Sequence, residues 1–97
     1  MTIGQWIDGR ERAVPDEFRP LLSAGGPVSP DALLAAAERE VTGCAVENPR
    51  DRSAAFTLLA ADAYVTYACA LMIVEGAGAS TLKGTAQRVA RGWWDNL

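Results

Sequence analysis

The sequence contains no histidine, and this absence removes several kinds of chemistry at once. Histidine is the most common general base, the most common metal ligand and the usual switch near neutral pH. Cysteine is scarce too, because the 97 residues include only Cys44 and Cys69, which lack C-x-x-C spacing. The chain also contains no phosphate-binding loop and no calcium-binding loop, and the residues of a catalytic triad do not occur in a known order. We therefore predict a protein that is not an enzyme, with no catalytic, cofactor-binding or metal-binding residues.

Positive charge is the second shortage. There is one lysine, Lys83, and the 9 basic residues are outnumbered by 12 acidic ones, which gives a net charge of −3. No stretch is basic enough to neutralise a run of phosphates, so we expect no nucleic-acid partner. The N-terminus shows neither the basic region nor the apolar region of a signal peptide, and we expect a cytoplasmic location.

No segment alternates between apolar and polar residues for long enough to predict a strand. Alanine, the strongest helix former, supplies 18 of the 97 residues. The helix-start pattern Ser29-Pro30-Asp31 is repeated at Asn48-Pro49, and Ser80 is a third candidate cap. The sequence therefore predicts an all-α fold and a single domain over 1–97, a small bundle of three main helices at about 30–47, 49–75 and 80–96.

The first 28 residues are predicted to be an irregular lid over this helical core of 29–97. Ile3, Trp6 and Ile7 share one face of a short helix that Gly9 ends, and Thr2 with Gln5 forms a capping-box pattern at its start. A second short helix near Phe18 contains a proline, so it is predicted to be kinked or split.

The helix predicted over 49–75 is apolar nearly all round, with Asp62 as the single charge between Ser53 and Val74. Such a helix must be covered on most sides. One interpretation is a transmembrane span, but a carboxylate at mid-span costs about 2.5–3.5 kcal/mol, and alanine and threonine contribute little to insertion. We favour the central helix of a bundle and expect no membrane association.

The short flanking helices cannot surround this central helix, so the remaining surface requires a partner. A second copy of the chain is the simplest choice, and a homodimer is favoured over a different protein partner. The alternative is a monomer with a partly exposed apolar stripe. The candidate self-association residues are Phe56, Leu59, Tyr67, Leu71 and Met72.

One polar cluster is also predicted. If the helices at 49–75 and 80–96 pack antiparallel, six side chains come close together: Asp62, Tyr64, Tyr67, Arg88, Arg91 and Trp94. The favoured interpretation is structural, a buried carboxylate satisfied by an arginine and a phenol. The alternative function is a small-molecule site for an anionic or apolar ligand, with an arginine holding the anion and Trp94 as an apolar wall.

Overall fold

The protein is all-helical over the residues that the computed structural model describes, which are 1–45, 52–76 and 78–95, without the side chains of 44, 45 and 93–95. This confirms the predicted fold class. Within those ranges no strand occurs, and Thr2 and Pro27 form an isolated β-bridge. The elements in chain order are α1 (Ile3–Asp8), a 3-10 turn (Arg19–Leu21), α2 (Pro30–Ala45), α3 (Arg52–Val74) and α4 (Ala79–Asp95).

Two of the predicted helix starts are confirmed by their hydrogen bonds. The Gln5 N–H donates to Thr2 Oγ1 at 3.1 Å and the Thr2 N–H donates to Gln5 Oε1 at 2.9 Å, which completes the capping box of α1. At α2 the Ala32 N–H donates to Ser29 Oγ at 3.0 Å. The predicted start at Asn48 lies outside the described residues.

The start of α4 differs from the prediction by a residue or two. The Leu82 N–H donates to the Gly78 carbonyl at 3.2 Å, so the helix begins after Gly78 and Ser80 is not its cap. The end of α3 is as predicted, with Gly76 at a φ of +79°. A left-handed residue after a helix is typically glycine, because no Cβ then clashes with the backbone.

Helices α2 and α3 form the most extensive contact between elements. The helical spacing of Leu33, Leu34 and Val41 predicts that they share one apolar face of α2, and all three are buried. Much of the contact surface is made of alanines, which let helix axes approach closely. The buried alanines of the two helices are Ala36, Ala37, Ala54, Ala60, Ala61 and Ala68.

The N-terminal segment, residues 1–28, is closed on itself and is part of the core. Its two ends pair, because the Ile3 N–H donates to the Gly26 carbonyl at 3.0 Å and the Val28 N–H donates to the Met1 carbonyl at 2.9 Å. Ile3, Ile7 and Leu22 are each 1% exposed and belong to the same buried cluster as α2 and α3. The N-terminal segment therefore contributes to the hydrophobic core, whereas we predicted a lid over it.

Helix α4 is attached much less closely. Thr85 is buried, and its hydroxyl donates to Met72 Sδ at 3.3 Å and to the Thr81 carbonyl at 3.1 Å. Ala86 and Ala90 are exposed, although their helical spacing with Leu82 and Val89 predicts that they lie on the inner side of α4. The prediction failed there because α4 meets α2 and α3 along a narrow edge, so only part of its apolar face is covered.

Candidate functional site

One side of α3 is left open to solvent. The helix packs on α2, and its flanks contact the N-terminal segment at Tyr67 and α4 at Met72. Four large apolar side chains remain outside these contacts: Phe56 is 41% exposed, Leu59 53%, Ile73 64% and Val74 79%. A surface of this kind on a small chain is typical of an interaction site.

The exposed positions and two half-buried alanines, Ala63 and Ala70, follow a helical spacing of three and four residues and form one continuous face. We call this face the α3 stripe: Ala55, Phe56, Leu59, Ala63, Thr66, Ala70 and Ile73. It contains no charged residue. Asp62 lies at its edge, where it also lines a cavity described below, and Arg52 and Glu75 lie at its two ends, both exposed.

The five predicted self-association residues divide between this stripe and the core. Phe56 and Leu59 lie on the stripe, and Tyr67 and Leu71 are half-buried against the core cluster. Met72 is only 5% exposed, because it packs beneath Thr85 of α4, so it is not available to a partner. Ile73 was missed, although it follows Leu59 by 14 residues and two heptads return to nearly the same helix face.

The length and composition of α3 would allow it to cross a membrane. Within the described residues it is the one helix that meets this test, and 28% of its most apolar window is buried inside the molecule. The core helix of a soluble protein passes the same test, so the finding is weak evidence in either direction.

The predicted polar cluster is dispersed over the molecule, and both tyrosines take part in the packing of the N-terminal segment. Tyr64 is 1% exposed, and its hydroxyl accepts the Ala24 N–H at 3.0 Å. Burial raises the pKa of the Tyr64 hydroxyl, because the charged phenolate is poorly solvated there. The Tyr67 ring meets the Trp6 ring edge-on, with centroids 5.5 Å apart.

Arg10 completes this aromatic contact. Its guanidinium carbon lies 4.6 Å from the Trp6 ring centroid and 5.6 Å from the Tyr67 ring centroid. Cation–π contacts of this kind contribute about 0.5–1 kcal/mol at exposed sites. The side of α3 that bears Tyr64 and Tyr67 is therefore occupied by the chain itself.

Arg88 lies at the junction of α4 with α2. Its Nε donates to Glu38 Oε1 at 2.7 Å and one terminal nitrogen donates to Asp31 Oδ1 at 2.8 Å, while the other terminal nitrogen pairs with Glu38. The hydrogen bond with Asp31 is the largest cause that raises the pKa of Arg88, and Glu38 adds to it. These ion pairs join the loosely packed α4 to α2.

The remaining members of the predicted cluster are not brought together by these contacts. Arg91 is exposed, and the side chain of Trp94 lies outside the described residues. Among the members whose side chains the structure describes, Asp62 and Arg88 are the two that line the same cavity.

This cavity has a volume of about 240 Å³ and lies between α2, α3 and α4. Its wall is mainly aliphatic, with three charged side chains among the lining residues. The lining consists of Leu34, Ala37, Glu38, Val41, Thr42, Ala61, Asp62, Val65, Arg88, Val89 and Gly92.

Among the described residues, no group of three or more histidine, cysteine, aspartate or glutamate side chains is arranged to hold a metal ion. Comparison of the chain with models of known protein families, with curated proteins and with solved structures gives no significant match.

Proposed function

We propose that the protein is a small helical interaction module that associates with a second copy of itself through the α3 stripe. The observation that carries the proposal is the exposure of Phe56, Leu59 and Ile73 along one continuous face of the central helix. Burying that face against a second copy removes this apolar surface from water, at roughly 25 cal/mol per Å².

The shape of the stripe suits another helix. Its middle is made of the small residues Ala63, Thr66 and Ala70, and its larger side chains lie toward the two ends. Small residues at a crossing point let two helix axes come within about 8–10 Å of each other. The α3 helix of a second copy can therefore pack closely against the middle of the α3 stripe, between the larger side chains at its two ends.

The charges at the two ends support an antiparallel arrangement. Arg52 stands at the first residue of α3 and Glu75 directly follows its last residue, and both are exposed. When two copies of α3 run antiparallel, each Arg52 lies beside the partner's Glu75. A parallel pair would instead place like charges together.

Sedimentation velocity without detergent tests the proposal. We expect a species of twice 10.3 kDa at micromolar concentration, and we expect Leu59→Lys to shift it to the monomer. Ala86→Lys is the matched control, because Ala86 is an exposed helical alanine of α4, away from the stripe. A wild-type monomer, or a protein that floats with lipid vesicles instead of dimerising, would contradict the proposal.

The antiparallel orientation has its own test. Arg52→Glu and Glu75→Arg should each weaken the dimer at low salt, and the double reversal should recover most of the affinity, because the opposite charges meet again. If the double variant is weaker than both single variants, the orientation is wrong even though the dimer exists.

A further inference from the structure

The cavity between α2, α3 and α4 is partly open to solvent, because Glu38, Thr42 and Asp62 among its lining residues are exposed. This cavity measures about 240 Å³, whereas a cavity of about 150 Å³ is enough to hold a benzene ring. Its volume therefore suits one small ring or a short branched chain.

Its walls are suited to an apolar group. Each of the three helices supplies aliphatic side chains, among them Leu34 and Val41 from α2, Val65 from α3 and Val89 from α4. Gly92 also lines the cavity, and a Cβ at that position would meet no atom within 4 Å. The missing side chain at Gly92 thus leaves part of the space open.

The charges argue against an anionic ligand, which was one of our predictions for this region. The single cation among the described lining residues is Arg88, and its three nitrogens are already engaged by the carboxylates of Asp31 and Glu38. An anion would have to displace one of these carboxylates while it approached the other. Such an exchange gains little, because one ion pair replaces another.

Asp62 differs from Arg88, because its charge is not already engaged by an opposite charge among the described residues. It lines the cavity and is exposed, and within the described part of the chain its carboxylate makes no hydrogen bond or ion pair. Among the described lining residues, Glu38, Asp62 and Arg88 together leave one net negative charge. A ligand with a positive group at one end therefore finds a carboxylate beside the apolar wall.

We infer that this cavity is a binding site for a small organic ammonium ion, a compound with one apolar ring or short chain and one protonated amine. The apolar part occupies the space beneath α4 that Leu34, Val65 and Val89 surround. The ammonium group lies at Asp62, where it gains a carboxylate partner and keeps contact with solvent.

Three probes of nearly equal size test the inference: benzylamine, benzyl alcohol and benzoate, each titrated while amide chemical shifts are recorded. We expect all detectable shifts to centre on the lining residues. Benzylamine should bind roughly two- to five-fold more tightly than benzyl alcohol, which is the range for a solvent-exposed ion pair, and benzoate should bind most weakly. Benzoate binding as tightly as benzylamine, or no binding by any probe at millimolar concentration, overturns the inference.

Two pairs of variants separate the roles of charge and space. Asp62→Asn should remove the preference for the amine over the alcohol, while Asp16→Asn, the same change at an exposed acid of the N-terminal segment, should retain it. Gly92→Leu should abolish binding of all three probes, because the new side chain fills part of the cavity that Gly92 lines. Gly84→Leu is its control, since Gly84 is an exposed glycine of the same helix with equally open space at its Cβ.

These outcomes are distinct. An amine preference that survives Asp62→Asn shows that the carboxylate is not the recognition group and overturns the charge argument. Binding that survives Gly92→Leu places the probe elsewhere and overturns the site. Both glycine replacements raise the helix propensity of α4 alike, so a difference between them reports on the cavity and not on helix stability.

Discussion

The N-terminal segment and helix α4 both flank the central α2–α3 pair, and they are attached to it in opposite ways. The segment contains one six-residue helix and a 3-10 turn, yet it places Ile3, Ile7 and Leu22 among the largest fully buried side chains. Helix α4 has 17 regular residues, but among its described side chains only Thr85 is buried. Regular local structure is therefore a poor guide to how firmly an element is held.

The physical reason lies in where the apolar side chains project. In the segment, closure of the chain on itself directs several large side chains toward one point of the core. In α4, the apolar positions share one face, but that face is covered only in part, and alanines such as Ala86 remain in solvent. Ion pairs at Arg88 add to the partial burial of Leu82 and Val89, but exposed ion pairs are individually weak.

The largest expected effect compares two identical substitutions, one in each region. Leu22→Ala should cost about 2–5 kcal/mol of unfolding free energy, because Leu22 is fully buried and its removal leaves a cavity. Leu82→Ala in α4 should cost less than half as much, since Leu82 is only half-buried. Urea denaturation followed by circular dichroism measures both. Equal losses would show that α4 is as firmly packed as the segment.

The next effect concerns the hydrogen bond between the segment and α3. Tyr64→Phe should cost about 1–2 kcal/mol of unfolding free energy, because it leaves the Ala24 N–H without its acceptor.

The wild-type protein should also lose stability at alkaline pH. Since burial holds the pKa of Tyr64 above 10, its contribution is complete below about pH 10 and is lost as pH rises through the folded-state value.

Thermal unfolding between pH 8 and 12 measures this dependence for the wild type and for Tyr64→Phe. The variant should show a shallower decline above pH 10, because it has no buried phenol to ionise. If the two curves decline in parallel, ionisation of Tyr64 does not contribute to alkaline unfolding.

A smaller effect is expected at the attachment of α4. Arg88→Gln removes ion pairs worth about 0.2–1 kcal/mol each and should increase amide hydrogen exchange in α4 while α2, α3 and the segment keep their protection. Salt at 1 M should produce part of the same change. Arg91→Gln is the control, an exposed arginine of the same helix. Uniform loss of protection throughout the molecule would mean that α4 unfolds only together with the core.

The smallest effect should be a gain. Gly84→Ala removes a glycine from the interior of α4 at an exposed position with open space, and should stabilise that helix by about 0.5–1 kcal/mol. We expect slower amide exchange within α4 and a smaller change in the global unfolding midpoint. A shift of the midpoint by the full amount would indicate that α4 is coupled to the core more tightly than its contacts suggest.

Several elements of the fold are predictable from local signals. The Thr2–Gln5 capping box, Ser29 at the start of α2 and Gly76 at the end of α3 satisfy backbone groups within a few residues, so tertiary context is not needed to find them. The buried face of α2 was also correct, because Leu33, Leu34 and Val41 repeat with the helical period.

The candidate site was less accessible to sequence reasoning. An antiparallel packing of α3 and α4 predicts that Asp62, Tyr64, Tyr67 and Arg88 lie at similar positions along the helix axes. The position along an axis does not determine the direction in which a side chain points. Tyr64 and Tyr67 face the N-terminal segment, and Arg88 faces α2. For the same reason Met72 is buried, although it shares its helix with the exposed Ile73.

The sequence by itself determined the all-helical class, the positions of the main helices and the presence of a central helix that its own chain does not fully cover. These follow from composition, capping residues and periodicity, which act within a turn or two of helix. Only the tertiary structure decided that the N-terminal segment belongs to the core, that α4 is held by ion pairs, and that a cavity separates it from α2 and α3. Those features depend on which surfaces meet across long stretches of chain, and the balance of packing and electrostatics that selects them is not encoded in any local pattern.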